Sequence, residues 1–160
     1  MASAQRSGAG AKSLARPVAL ALAVLIADQA TKAAATHWLP LGQPFPVLNG
    51  VLWLTRIANR GAAFGLFPAA AIYVLIMLAA CALLLLFLLQ GRWIQRAAAR
   101  PPLALLLGGS LGNLVDRLRL GYVVDFLDLR IWPVFNLADV ALSVGAVWLV
   151  VLLLRAKGQS

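Results

Sequence analysis

The sequence predicts an all-α membrane protein: four transmembrane helices with a small extracytoplasmic β element. Three observations carry that reading. Mean hydropathy is +0.89, and 62% of residues are hydrophobic against 12% charged, a balance of membrane proteins rather than soluble domains. Four apolar stretches each approach the ~20 residues that a helix needs to cross a bilayer, and in hydrocarbon such stretches satisfy their own backbone only as helices. Between two of them, short apolar runs flank Asn49-Gly50, which is a hairpin signal. The 160 residues leave room for one domain.

Residues 1–16 read as a cytoplasmic N-terminus. Its first 13 residues are small and polar and are expected to lack regular structure. A single domain then runs over 17–154, with spans at about 17–36, 69–89, 101–119 and 135–154. The second of these carries no charge. The β element is expected within 41–60, where Pro44-Phe45-Pro46-Val47-Leu48 precedes the Asn-Gly turn and Val51-Leu52-Trp53-Leu54-Thr55 follows it. Trp and Phe there suit a membrane surface. Residues 155–160 form a cytoplasmic tail. A basic start, the apolar run Val18–Ala27 and Ala33-Ala34-Ala35 also resemble a cleavable signal peptide. Asp28 and Lys32 interrupt that pattern before the cleavage site.

Orientation follows from the basic residues. Arg6, Lys12, Arg16, Arg92, Arg96, Arg100, Arg155 and Lys157 flank one side; Arg56, Arg60, Arg117, Arg119 and Arg130 flank the other. The positive-inside rule puts both termini in the cytoplasm. The arginines left outside oppose that bias, which suggests a task for them there. A net charge of +9 does not point to nucleic acid, because the bases cluster between apolar runs and form no amphipathic face. The lone Cys81 excludes an intramolecular disulfide, and the lone His37 leaves no zinc-binding set. Leu78-Ala79-Ala80-Cys81 resembles a lipidation box but falls in the middle of a span.

The chemistry lies in the acids. There is no Glu, and all five acidic residues are Asp: Asp28 alone, then Asp116, Asp125, Asp128 and Asp139 close together. A carboxylate near hydrocarbon is costly and faces a protein interior or polar cavity. Asp28 and Lys32, at i and i+4, share a helix face; they read first as a mutually neutralising pair that ties this helix to its neighbours, and second as support for a nearby polar site. Gly108 and Gly112 allow close helix approach. Gly108-Gly109-Ser110-Leu111-Gly112 also matches a hydrolase elbow, which needs a strand-to-helix turn and a histidine. Asn113, Asp116 and Arg117 sit together at the outer end of the third span. There Asp116 reads as an Asp–Arg interfacial partner, and Arg117 equally as that partner or as a bidentate ligand for carbonyl or phosphate. Asp125, between valines and a phenylalanine, should have a raised pKa if it faces the protein; Asp128 has an easier route to water. Asn136 and Asp139 share a face at the start of the fourth span. Two carboxylates at a dry boundary can share a proton, one activating water and the other donating to a carbonyl or leaving group. The competing reading is a set of helix-capping or interfacial aspartates.

Five motifs occur in order: Asp28-Gln29-Ala30-Thr31-Lys32, Asn59-Arg60-Gly61-Ala62-Ala63-Phe64, Gly108 through Arg117, Val123-Val124-Asp125-Phe126 and Phe135-Asn136-Leu137-Ala138-Asp139. Together, over about 17–154, they resemble bacterial lipoprotein signal peptidase, or signal peptidase II. The resemblance implies an aspartic endopeptidase of the bacterial inner membrane. Such enzymes remove the signal peptide of prolipoproteins just before a diacylglyceryl-modified cysteine. It maps the catalytic pair onto Asp125 and Asp139, and not onto Asp116. Asn59, Asn113, Arg117 and Asn136 match positions lining the substrate or inhibitor site, and Asp28 and Lys32 match a polar pair important for integrity. It further implies an outer β-cradle, lateral access for lipid-bearing substrate, inhibition by the peptide antibiotic globomycin, and no metal or organic cofactor. The link from Asp125 to Asp139 is short for the family, which leaves the shape of the loop over the pair open. From other classes, a small proton-coupled transporter relaying protons through intramembrane aspartates and a noncatalytic assembly subunit remain alternatives.

Overall fold

The computed structural model describes residues 2–48, 50–61, 78, 80, 82, 83 and 97–157. Among them are three α-helices and one three-stranded sheet. In chain order they are α1 (Ala2–Trp38), β1 (Pro44–Leu48), β2 (Leu52–Asn59), α2 (Arg100–Leu120), β3 (Val123–Asp128) and α3 (Leu137–Lys157). The expected span over 69–89 lies outside the described residues except at helical positions 78, 80, 82 and 83. Cys81 and Asn49 also lie outside them. Among the described residues two helices, Leu14–Trp38 and Leu137–Arg155, are long and apolar enough to cross a membrane by length and composition.

Helix α1 runs back to Ala2. The physical reason is propagation. Once a helix exists, each further residue adds one hydrogen bond, and this stretch carries alanines at 2, 4, 9 and 11, the best helix formers.

Helix α2 packs between the other two. Its buried residues include Leu103, Ala104, Leu107, Gly108, Gly109, Gly112 and Leu114. The glycines are what permit this. A Cβ on Gly108 would lie 2.6 Å from the Ala21 carbonyl oxygen of α1, and one on Gly109 would lie 2.6 Å from the Ala138 carbonyl oxygen of α3. Ser110 is therefore a buried mid-helix residue, not the apex of a strand-to-helix turn, and the hydrolase-elbow reading falls. His37 instead packs edge-on against the neighbouring Trp38, with ring centroids 4.8 Å apart.

The sheet has the order β1-β2-β3, antiparallel throughout. The β1–β2 hairpin forms where Asn49-Gly50 predicts it, with Gly50 at φ +77. β3 is an additional strand. Gly121 ends α2 in the left-handed conformation, φ 76, and its N–H returns to the Arg117 carbonyl, a glycine C-cap. The chain then leaves directly into Val123-Val124. Strand β3 is buried along nearly its whole length, Asp125 and Asp128 included. After it, the chain turns back through 129–134, and Leu127 pairs with Phe135, their N–H groups donating to each other's carbonyls at 2.8 and 3.0 Å. This pairing delivers the start of α3 beside β3.

Candidate active site

The start of α3 is a reciprocal capping box. Asn136 is the N-cap: its Oδ1 accepts from the Asp139 backbone N–H at 2.9 Å, and Asp139 Oδ2 accepts from the Asn136 backbone N–H at 3.1 Å. A third orphan N–H, that of Ala138, donates to Asp28 Oδ1 of α1 at 2.9 Å. The capping reading of Asp139 is thus correct in geometry, but it does not exhaust the residue. Asp139 Oδ1 also accepts from Asn113 Nδ2 of α2 at 2.9 Å.

Asp125 reaches the same place from β3. Its Oδ1 accepts from Asn136 Nδ2 at 2.7 Å, and its Oδ2 accepts from Asn59 Nδ2 of β2 at 2.8 Å. Asn59 is held by the turn after β2, where its Oδ1 accepts from the Gly61 N–H at 2.9 Å. One fully buried amide, Asn136, therefore touches both acids: its nitrogen holds Asp125 and its oxygen holds the Asp139 N–H. The same nitrogen also donates to Asn113 Oδ1 at 3.1 Å. Asp125 is 2% exposed. Burial pushes its carboxyl from the ordinary 3.8 up to about 6, against the Asn59 hydrogen bond that favours the charged form and with help from the charge of Asp139. Arg117 stands on α2 one turn beyond Asn113, half-buried.

Behind the pair lies a buried ionic cluster. Lys32 sits 2.9 Å from Asp28 Oδ2 and 3.0 Å from Asp116 Oδ2, and donates to Asn113 Oδ1 at 2.8 Å. Asp116 was expected to partner Arg117 at the interface. The cation set against it is Lys32, and Asp116 is 3% exposed. It also accepts the Val124 N–H at 3.0 Å, so it fixes where β3 begins. The expectation fails because sequence neighbours on a helix point to different sides, whereas α1 brings Lys32 across. Gln29, a residue with no sequence signal beyond its place beside Asp28, donates to Asp116 Oδ1 at 3.0 Å and to the Gly112 carbonyl at 3.1 Å. Asp128 is corrected as well. It is 5% exposed, because Thr55 Oγ1 donates to it at 2.7 Å and Arg130 closes over it at 3.6 Å. The Thr55 hydrogen bond holds its carboxyl below the ordinary value. Among the described residues no group of three His, Cys, Asp or Glu could hold a metal ion.

Apolar helices and a small sheet bring buried carboxylates together here, and the likenesses to known proteins place the chain among membrane hydrolases. Residues 20–155 match the family model described as signal peptidase (SPase) II. The lipoprotein signal peptidase of Pelotomaculum thermopropionicum is 46% identical over 140 residues, 86% of this chain and 90% of that protein. That of Moorella thermoacetica is 45% identical over 141 residues, 88% and 93%. Two solved structures described as a bacterial membrane enzyme superpose with TM-scores of 0.81 and 0.82, at 30% and 31% identity. The first covers 91% of both chains; the second covers 88% of this chain and 93% of the other. The chain belongs to the signal peptidase II family, a family of aspartic peptidases. Nothing in these likenesses supports the transporter reading.

Proposed function

We propose that the protein removes signal peptides from prolipoproteins, cutting before the diacylglyceryl-modified cysteine, with Asp125 and Asp139 as the catalytic pair. One observation carries this reading: two carboxylates from separate elements converge on one buried residue, Asn136, whose side-chain amide donates to Asp125 Oδ1 and whose backbone N–H donates to Asp139 Oδ2. Two such groups in a partly dry site do not both ionise readily. The ionised one takes a proton from water as that water attacks the scissile carbonyl. The protonated one donates to the carbonyl oxygen, and the roles exchange as the leaving amine takes up its proton. Burial and the charge of Asp139 favour Asp125 as the holder of the proton.

Asn59, Asn113 and Asn136 hold the two carboxyls in place, and Arg117 offers a planar fork to a substrate carbonyl. In this reading four spans cross the bacterial inner membrane, both termini are cytoplasmic, and the site opens at the outer face. Membrane lipid surrounds the helices, so the acyl chains of the substrate stay in the bilayer while its peptide crosses the mouth. Globomycin is the expected inhibitor. The test is cleavage of a purified prolipoprotein by Asp125→Asn and Asp139→Asn. Each should insert normally and lose at least about 100-fold in rate, the scale of general acid–base catalysis. Wild-type rates in either variant would remove that residue from the pair.

A further inference from the structure

We infer that Lys32 is a positioning residue for the catalytic pair, acting through the amide of Asn113; this rests on the dyad reading above. Lys32 is 3% exposed, so its ammonium must find partners within the protein. It has three N–H donors, and three acceptors surround it: Asp28 Oδ2 at 2.9 Å, Asp116 Oδ2 at 3.0 Å and Asn113 Oδ1 at 2.8 Å. Two carboxylates on two different helices hold the ammonium so that it cannot swing away. Its third proton is aimed at the amide of Asn113.

The orientation of that amide matters, because its two ends carry opposite polarity. Asn113 Oδ1 accepts from Lys32 and from Asn136 Nδ2 at 3.1 Å, which leaves Nδ2 to face Asp139 Oδ1 at 2.9 Å. Rotated by half a turn, the amide would set its NH₂ against an ammonium and another NH₂, and its oxygen against a carboxylate. All three contacts would repel. Lys32 thus selects the rotamer in which Asn113 is a donor to Asp139. Charge neutralisation of Asp28 and Asp116 needs only a cation, but this orientation needs a donor at that one point. Without Lys32, only Asn136 would hold Asn113 Oδ1, and Asp139 would lose a fixed donor at the oxygen opposite its helix cap.

The experiment is a mutant cycle on the purified full chain, cleaving a synthetic prolipoprotein. Lys32→Met is combined with Asp116→Asn, which keeps the cluster at one net negative charge and so avoids an extra unpaired buried carboxylate. Asn113→Ala forms the other edge, and the three substitutions together close the cycle. We expect kcat to fall about 100-fold in the charge-matched variant, the scale of a misplaced catalytic group, with KM within about twofold of wild type. In the Asn113→Ala background the same change should cost less than about threefold more, because residues acting through one another are not additive. Multiplicative losses, or a wild-type kcat in the charge-matched variant, would overturn the assignment. If that variant does not fold, Lys32→Arg replaces it. Arginine keeps the charge, but its longer, planar fork does not reproduce the compact placement of the ammonium's three N–H groups; a folded enzyme with low kcat is expected, and wild-type kcat overturns the proposal. Asp125→Asn and Asp139→Asn run in the same assay separate the two failures. If both cleave normally, the dyad reading fails. If both are dead while the Lys32 and Asn113 losses multiply, only the role of Lys32 fails.

Discussion

Adding one methyl group at Gly112 should damage this protein more than its size suggests. A Cβ there would lie 2.5 Å from Asp28 Oδ2 and 3.0 Å from Asp28 Cγ, with Ala138 Cβ at 3.4 Å behind. Ordinary contact begins nearly an ångström further out. Asp28 is fully buried and cannot retreat. One of its oxygens holds Lys32 at 2.9 Å, and the other holds the Ala138 N–H at 2.9 Å. Overpacking of a tight core costs about 1–3 kcal/mol, and weakening one hydrogen bond to a charged group costs about 1.5–3 kcal/mol. Against these, alanine is the better helix former by about 0.5–1 kcal/mol. The overpacking and hydrogen-bond terms win, and Gly112→Ala should destabilise by about 2–5 kcal/mol. The assay is thermal unfolding of the detergent-purified protein beside prolipoprotein cleavage, with Gly121→Ala as the comparison. Gly121 has open space around it but φ +76, so its cost is the left-handed backbone alone, about 1–2 kcal/mol. A Gly112→Ala protein as stable and active as wild type, or one less affected than Gly121→Ala, would refute the reasoning about Asp28.

Asp125 gives a pH prediction with a definite sign. Its folded pKa of about 6 lies above the ordinary 3.8, so between those values the folded protein binds more protons than the unfolded one. The contribution of Asp125 to stability is complete below about 3.8 and is lost as pH rises through about 6; unfolding measured across that window checks it. Asn59→Leu removes a hydrogen bond that favours the charged form, so the pH at which Asp125 titrates should rise, read from the shift in the pH–rate profile. Thr55→Val takes the 2.7 Å donor from buried Asp128 and should cost about 1–3 kcal/mol in thermal unfolding. Arg130 has φ 66 and stacks on Trp53 with its guanidinium carbon 4.3 Å from the ring centroid. Arg130→Gly relieves about 1–2 kcal/mol of left-handed strain and loses about 0.5–1 kcal/mol of cation–π attraction, so it should be near neutral, whereas Arg130→Ala should destabilise.

What the sequence made legible was local. Long apolar runs, an Asn-Gly turn and the i, i+4 pairing of Asp28 with Lys32 each carry their own signal within a few residues, and the hairpin and helices follow them. Strand β3 did not announce itself. It is buried along its length, so it lacks the alternation that marks a half-exposed strand, and two aspartates break its apolar run. The burial of Asp116 and Asp128 is hidden in the sequence for a related reason. The partners that bury them, Lys32 and Thr55, come from α1 and β2, and no spacing rule reaches across folded elements. At Asp139 a cap does not use up the carboxylate, because one oxygen takes the Asn136 N–H and the other takes Asn113 Nδ2.

The hydrogen bond from Ala138 to Asp28 joins residues 110 positions apart, from the first helix to the last. During synthesis the chain emerges from its N-terminus, so Asp28 waits for a partner that is among the last parts to be made. Until α3 arrives, Asp139 is absent, its capping amide is absent and Asn113 has no carboxylate to meet. On the proposed dyad, a growing chain, or one cut short before α3, carries only half of the pair. The proposed site is completed by the same event that joins the first helix to the last.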